Sequence, residues 1–471
     1  MLHNINIRLI IMRDTMEEYM NLFENVIKKT IPKADYIDIR AGMSDNTSIL
    51  MKDGNVDEIN TGMSLGARIR VLNNGAWGFA YTTDLSKLNE IADTAIQLSN
   101  SLTGDVKLSE SEIIKDNMEV DVRIPFKDIS IEEKSNILKE ANDAATIEKV
   151  NSTTVGYADN VIDEIFMNSE GSEIQTKTSK IRMALNASAT DGEIIQFGHG
   201  SIGGVKGFEA IADEDIEKFG REIGEKAVRL LDAEAAPSGK FPVIADPQLT
   251  GVLIHEALGH AVEGDLILQN DSILKGKLGE TIASDIVNIF DDASKKDGFG
   301  YYPYDVEGVK TKPNQLVKDG KLISLLNSRE TASKLGMKST GNARSIIADK
   351  PIVRMSNTYL QPGDNTFEEL IEDIPDGIYL KGSRGGQVDT GKGIFQFNAA
   401  EGYLIKNGEI STPLRDVSLS GNILETLNNI DAIGNDFELS VGFCGKDGQT
   451  VPVGDGGPHT RILNALVGGM G

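Results

Sequence analysis

Two of the five histidines in this 471-residue chain, His255 and His260, stand five positions apart in Asp246–Asp265, with Glu256 directly after the first. Imidazoles ligate divalent metals and a neighbouring carboxylate can carry a proton, so the trio suggests metal-assisted chemistry. The spacing is the difficulty. Histidines four apart on a helix lie about 40° apart around its axis, whereas five residues at ~100° each leave them about 140° apart. Sharing one ion therefore requires a local bulge, which Gly259 beside His260 tolerates best. The alternative, a pair of satisfied core histidines, stays open on these residues alone.

A catalytic zinc takes three protein ligands and keeps one position open. The sole cysteine, Cys444, is a candidate third donor, because it lies in the polar, glycine-rich loop Gly442–Gln449, where Lys446 would favour the thiolate. The opposing reading is a buried small hydrophobe. Glu263 and Asp265 follow the histidines closely and either orient an imidazole from behind or are solvated charges at the helix end.

These groups need positioning elements. Asp246 can cap, Pro247 suits a first turn and Gly264 a stop, which predicts one helix of roughly seventeen residues. Upstream, residues 1–15 read as an extension and a helix runs from Met16 to Lys29. Strand-like runs follow at Tyr36–Arg40, Thr47–Lys52 and Gly66–Leu72, the last turning through Asn73-Asn74-Gly75 into Trp77–Thr82. Helical patterns at Asp84–Ser99, Ser130–Lys149 and Asp213–Leu231 flank strands over Thr153–Gly207. The small, turn-rich Ala233–Gly239 predicts a boundary. The expected fold is α+β in two domains: a region over 16–235 with helices on short strands, and a strand-rich mixed β domain over 236–471 carrying the histidine helix. No repeat of about 20–50 residues is evident, which argues against repeat architectures.

Composition narrows the function classes. With 47 basic and 72 acidic residues the net charge is −25, which repels phosphate backbones and disfavours nucleic acid and anionic membranes as partners. No run of ~20 apolar residues suggests a membrane span, and a single cysteine makes no intrachain disulfide, so a cytoplasmic location is expected. Gly386–Lys392 approaches a phosphate-binding loop, but Gly393 replaces the Ser/Thr that would hold magnesium, and a glycine-rich substrate groove is the more economical reading. His199 and His459 read as loop histidines, polar surface or substrate-side groups, and His3 belongs to the extension. Arg344 and Arg354 are candidate substrate anchors or partners of structural acids.

His255-Glu256-Ala257-Leu258-Gly259-His260-Ala261-Val262-Glu263-Gly264-Asp265 resembles the HExxxH segment of the TldD half of the TldD/PmbA peptidases, also called modulators of DNA gyrase. The likeness extends, in order, through Thr340–Arg344, Arg354–Thr358, Gly385–Asp389, Ala400–Ile405 and Cys444–Gln449, and to the Gly66–Phe79 hairpin. It covers nearly the whole chain after Met16 and is strongest from Pro242 onward. The resemblance implies metal ligation by His255, His260 and Cys444, with Glu256 as catalytic base. It also implies zinc, or iron(II) given the thiolate ligand, and a peptide substrate. The expected assembly is a homodimer, or a heterodimer with a PmbA-like subunit, enclosing a groove. The expected activity is cleavage of short or unfolded peptides. The alternatives are a non-catalytic peptide-binding subunit with a structural metal and a small-molecule amidase.

Overall fold

The computed structural model describes residues 18–469, so the expected extension over 1–15 lies outside them. A helix over 18–30 leads into the antiparallel strands Tyr36–Lys52, Asn55–Asn73 and Ala76–Thr82, and the helix Leu88–Asn100 closes the unit. Asn74 and Gly75 both have positive φ, 50° and 72°, as the two-residue turn between the last two strands demands. The same order then recurs: helix Ile131–Ala145, strands Val150–Asn168, Glu173–Thr190 and Ile195–Gly204, helix Ile216–Arg229. The two units join edge to edge, Tyr36–Lys52 pairing antiparallel with Val150–Asn168, and Lys115–Glu119 adds a seventh strand.

This duplication is almost silent in sequence, and glycine carries most of its trace. Gly78 and Gly198 sit in the third strand of each unit, where a Cβ would fall 1.8 Å from the Ala95 carbonyl oxygen and 2.0 Å from that of Ile223. Each lets a helix backbone lie directly on its sheet.

The strands of this region are not short, as expected from sequence, but run to 17–19 residues. Polar stretches such as Ser44–Asn46 and Asn60–Gly62 looked like breaks, yet the ladder continues through them, Asn46 pairing with both Gly62 and Asn160. There the sheet extends past its helices, so polar side chains meet solvent while the backbone stays paired. Arg40, Arg68 and Arg70 fasten this sheet to later loops: Arg68 donates to Ser345 Oγ and the Val306 carbonyl, and Arg70 joins Asp38 to Glu307.

The remaining strands form an eight-stranded sheet, with Gly239–Ala245 between Asp376–Asp389 and Thr460–Gly469, a six-stranded sheet ending in Asn357–Leu360, Gln449–Gly457 and Glu438–Lys446, and the short pair Ala343–Arg344 and Ile352–Val353. The expected boundary segment belongs to the first of these, since Glu234–Ala235 pairs with Glu409–Arg415. The helix Pro247–Ile254 packs against strands of both, in the core containing Leu249, Leu253, Leu380 and Val453. A Cβ on Gly251 would fall 2.5 Å from the Gly456 amide nitrogen, so the helix rests on the strand backbone itself. No helix among the described residues is long and apolar enough to cross a membrane.

Candidate metal centre

The histidine segment is not one continuous helix. Asp246 caps it, its carboxylate accepting from the Leu249 amide at 2.8 Å, and Pro247 opens an α-helix that lasts only to Ile254. Residues His255–Gly259 form a π-helical turn in which the His260 amide donates to the His255 carbonyl, and a 3₁₀ turn follows over His260–Val262. An i→i+5 bond widens the turn, so residues five apart face the same way, as residues four apart do in an α-helix. The two rings come to 5.3 Å between centroids, almost perpendicular. Gly264 does not stop this helix: Glu263 is extended, and Gly264 begins the separate helix Gly264–Gln269. Gly259 has ordinary helical torsions, φ −54° and ψ −51°; what excludes a side chain is Met355, whose Sδ would lie 1.9 Å from a Cβ there.

Cys444 lies on the strand Glu438–Lys446, not in a loop, opposite Val451 in a hairpin whose turn residues Asp447 and Gly448 both have positive φ. Asp-Gly is the same hairpin signal as Asn74-Gly75, so the strand was legible there. Its Sγ sits 3.3 Å from His260 Nε2, and ligand atoms of His255, His260 and Cys444 all lie within 4.8 Å of one another. Bond lengths of ~2.3 Å to sulfur and ~2.0 Å to nitrogen in a tetrahedron put a sulfur and a nitrogen donor roughly 3.5 Å apart, close to the 3.3 Å between Cys444 and His260.

Carboxylates stand behind both imidazoles. His260 Nδ1 donates to Glu263 Oε2 at 3.1 Å. His255 Nδ1 lies 2.5 Å from Asp455 Oδ1, too poorly aligned for a regular hydrogen bond, and neither atom has another partner. Glu263 occupies Nδ1 of His260 and Asp455 crowds Nδ1 of His255, so Nε2 is the nitrogen left to coordinate on each ring. Sequence reasoning missed Asp455, which reaches His255 only because its strand passes beneath Gly251. Asp265 touches no imidazole: it receives Lys446 Nζ at 2.8 Å, and Lys446 also donates to Glu263 at 2.9 Å. Lys446 therefore compensates two acids and is not the thiolate's counter-ion. Burial pushes the Cys444 thiol up, but the charges of His255 and His260 outweigh it and bring the group down to about 5. Burial opposes charge on His260, yet Glu263 and Cys444 hold it up at about 9. Two imidazoles and a thiolate, converging and backed by carboxylates, suit zinc or iron(II).

Glu256 comes within 4.0 Å of His260 Nε2 and keeps a quarter of its side chain exposed, on the open side of the cluster. Burial raises its carboxyl above the ordinary range, in the direction a general base at neutral pH requires.

The other candidates stay apart. Arg344 and Arg354 pair with backbone carbonyls rather than acids: Arg344 with Met355 and Pro452, Arg354 with Gln449 and Cys444. Both brace the cysteine hairpin. His199 is on the strand Ile195–Gly204 against Asn186, not in a loop, and His459 bridges Asp436 and Tyr379. The Gly386–Lys392 segment is a strand end and turn, Asp389 pairing with Ile394.

Comparison with known proteins bears on this geometry. Family models described as domain 1, central domain and C-terminal domain of the PmbA/TldA metallopeptidases match residues 37–99, 124–231 and 238–469. A protein of Methanothermobacter thermautotrophicus named metalloprotease is 59% identical over 93% of this chain and 96% of its own. One of Saccharolobus solfataricus, named zinc metalloprotease TldD homolog, is 33% identical over 87% of this chain and 91% of its own. A solved Thermotoga maritima structure, named for modulation of a DNA gyrase, shares the fold with a TM-score of 0.80 over 96% of this chain and all of its own, at 24% identity.

Proposed function

The chain belongs to the PmbA/TldA metallopeptidase family and is a metallopeptidase, and on that premise we propose that His255, His260 and Cys444 hold its zinc and that Glu256 is its general base. The observation carrying this reading is the convergence within 4.8 Å of potential ligand atoms from three residues, of which His260 and Cys444 are 184 positions apart in the chain. When bound there, the ion supplies Lewis-acid polarisation of a carbonyl and acidifies water.

The chain's own groups supply the rest. Glu256, raised by burial, takes a proton from water and returns it to the leaving amine. Glu263 fixes His260 in the tautomer that leaves Nε2 free, and Asp455 lies against His255 Nδ1 and favours the same tautomer there. Arg354 and Arg344 hold the hairpin that presents Cys444.

The proposed substrates are short or unfolded peptides, held in a groove enclosed by a dimer of this chain or by a PmbA-like partner. Support for an extended substrate comes from Glu438–Lys446, a sheet-edge strand whose one ladder partner among the described residues is Gln449–Gly457, so its other edge offers ladder groups to a peptide backbone. The test offers the zinc-loaded protein a stable folded protein and its denatured form at matched concentration. Cleavage confined to the denatured form, lost on chelation and regained with zinc, supports the reading, and equal cleavage of both forms contradicts the enclosed groove.

A further inference from the structure

Along Glu173–Thr190 the odd-numbered side chains Ser179, Ile181, Met183 and Leu185 are buried against the sheet's own helices, so the even-numbered ones face the other way. Lys180 and Arg182 are neighbours on that outward face. In a chain with 25 surplus negative charges, neither has an ion-pair partner among the described residues. Arg182 Nε is buried with no hydrogen-bond partner among the described residues, and no carboxylate acts on its guanidinium. Glu164, the one carboxylate that acts on Lys180, is taken up by Arg40. Asn160, directly across the ladder from Lys180, likewise keeps a buried Oδ1 without a partner.

These groups adjoin the strand that carries Cys444. Arg182 lines a cavity of about 280 Å³ together with Ser48, Asn60, Ala158 and Phe443, and its guanidinium carbon is 5.7 Å from the Phe443 ring. Phe443 directly precedes Cys444 and, by strand alternation, projects from the opposite face of the same edge strand. Arg344 links the two places, its charge acting on Lys180 and feeling that of Cys444. A peptide lying along the free edge of Glu438–Lys446 would send alternate side chains toward the metal cluster and toward Arg182.

We propose that Arg182, with Lys180 beside it, binds a carboxylate of the peptide substrate, and so selects which peptides are held beside the metal centre. A planar guanidinium with one face against Phe443 keeps its edge free for a two-point hydrogen bond to a carboxylate. The carboxylate belongs either to the peptide's C-terminus or to an acidic side chain, and the chemistry is the same for both. The inference rests on the peptidase reading above.

The test measures binding, so that it does not depend on turnover. Zinc-loaded Glu256→Gln protein is titrated, by fluorescence anisotropy, into three fluorescein-labelled alanine heptapeptides: the free C-terminal acid, the C-terminal amide, and the amide with a central glutamate. The acid or the glutamate peptide should bind about 10–100-fold tighter than the plain amide, the usual scale for a hydrogen bond to a charged group, and the tighter one identifies the source. Adding Arg182→Gln should abolish that preference, Arg182→Lys should keep part of it, and zinc content and affinity for the plain amide should not change. Equal binding of all three peptides, or a preference that survives Arg182→Gln, overturns the proposal. Failure of zinc-loaded wild type to cleave any of the three would count against the peptidase reading instead, as a separate measurement.

Discussion

Lys446 Nζ lies 2.9 Å from the Glu263 oxygen that also accepts the His260 Nδ1 proton, so one buried carboxylate joins a metal-ligand candidate to the hairpin that carries another. Glu263 is fully buried, and its carboxyl is held low against the cost of burial by His260 and Lys446. Asp265 completes the cluster on the far side of the ammonium.

That arrangement predicts the effect of Lys446→Met. The change strips the shared ammonium from Glu263 and Asp265 and leaves buried Glu263 with only His260 as a counter-charge, which should destabilise the fold by about 3–5 kcal/mol and weaken zinc binding about 10–100-fold. Denaturant unfolding and a competitive zinc titration on the same sample read both effects, and an unchanged midpoint would show that the ammonium contributes nothing there.

Glu256→Gln keeps the shape of the side chain and removes the base. Zinc content should be unchanged and peptide turnover should fall by at least ~10²-fold. Turnover near wild type would mean that another group accepts the proton.

Gly259→Ala puts a methyl where the Met355 sulfur already lies. A loss of about 1–3 kcal/mol is expected from overpacking, and in a Met355→Ala background the same change should cost less. Additive losses in thermal unfolding of the double variant would separate Gly259 from Met355.

Metal removal should leave a distinctive thiol. With Cys444 brought down to about 5, the chelated protein holds a thiolate at neutral pH, so its iodoacetamide labelling rate should stay level from about pH 8 to 6 and fall only as the pH drops through about 5. The sole cysteine makes the readout a single mass shift. A rate that drops between about pH 9 and 8, as for an ordinary thiol, contradicts the imidazole pairing.

Much of the site was legible because its residue types are scarce: five histidines and one cysteine leave few ways to build a metal cluster, and the five-residue spacing itself called for a distorted helix. Asp455 was not legible, since it meets His255 through the packing of a helix on a strand some two hundred positions later, which a local pattern cannot register. The long strands were hidden for a related reason. Polarity at Ser44–Asn46 signals solvent, and only the cross-strand partners Gly62 and Asn160 reveal that the backbone is still paired. The duplicated unit has the same character: its two halves share element order and the glycines at 78 and 198, positions that matter because a helix carbonyl is near.

The most direct measurement is zinc per chain, by elemental analysis after dialysis at matched free zinc, for wild type, His255→Ala, His260→Ala and Cys444→Ser. Each variant should also be checked for native secondary structure by far-UV circular dichroism. One ion in wild type and a substantial loss in every folded variant is the result predicted for a cluster of these three ligands. A folded Cys444→Ser protein that binds zinc as fully and as tightly as wild type would contradict it.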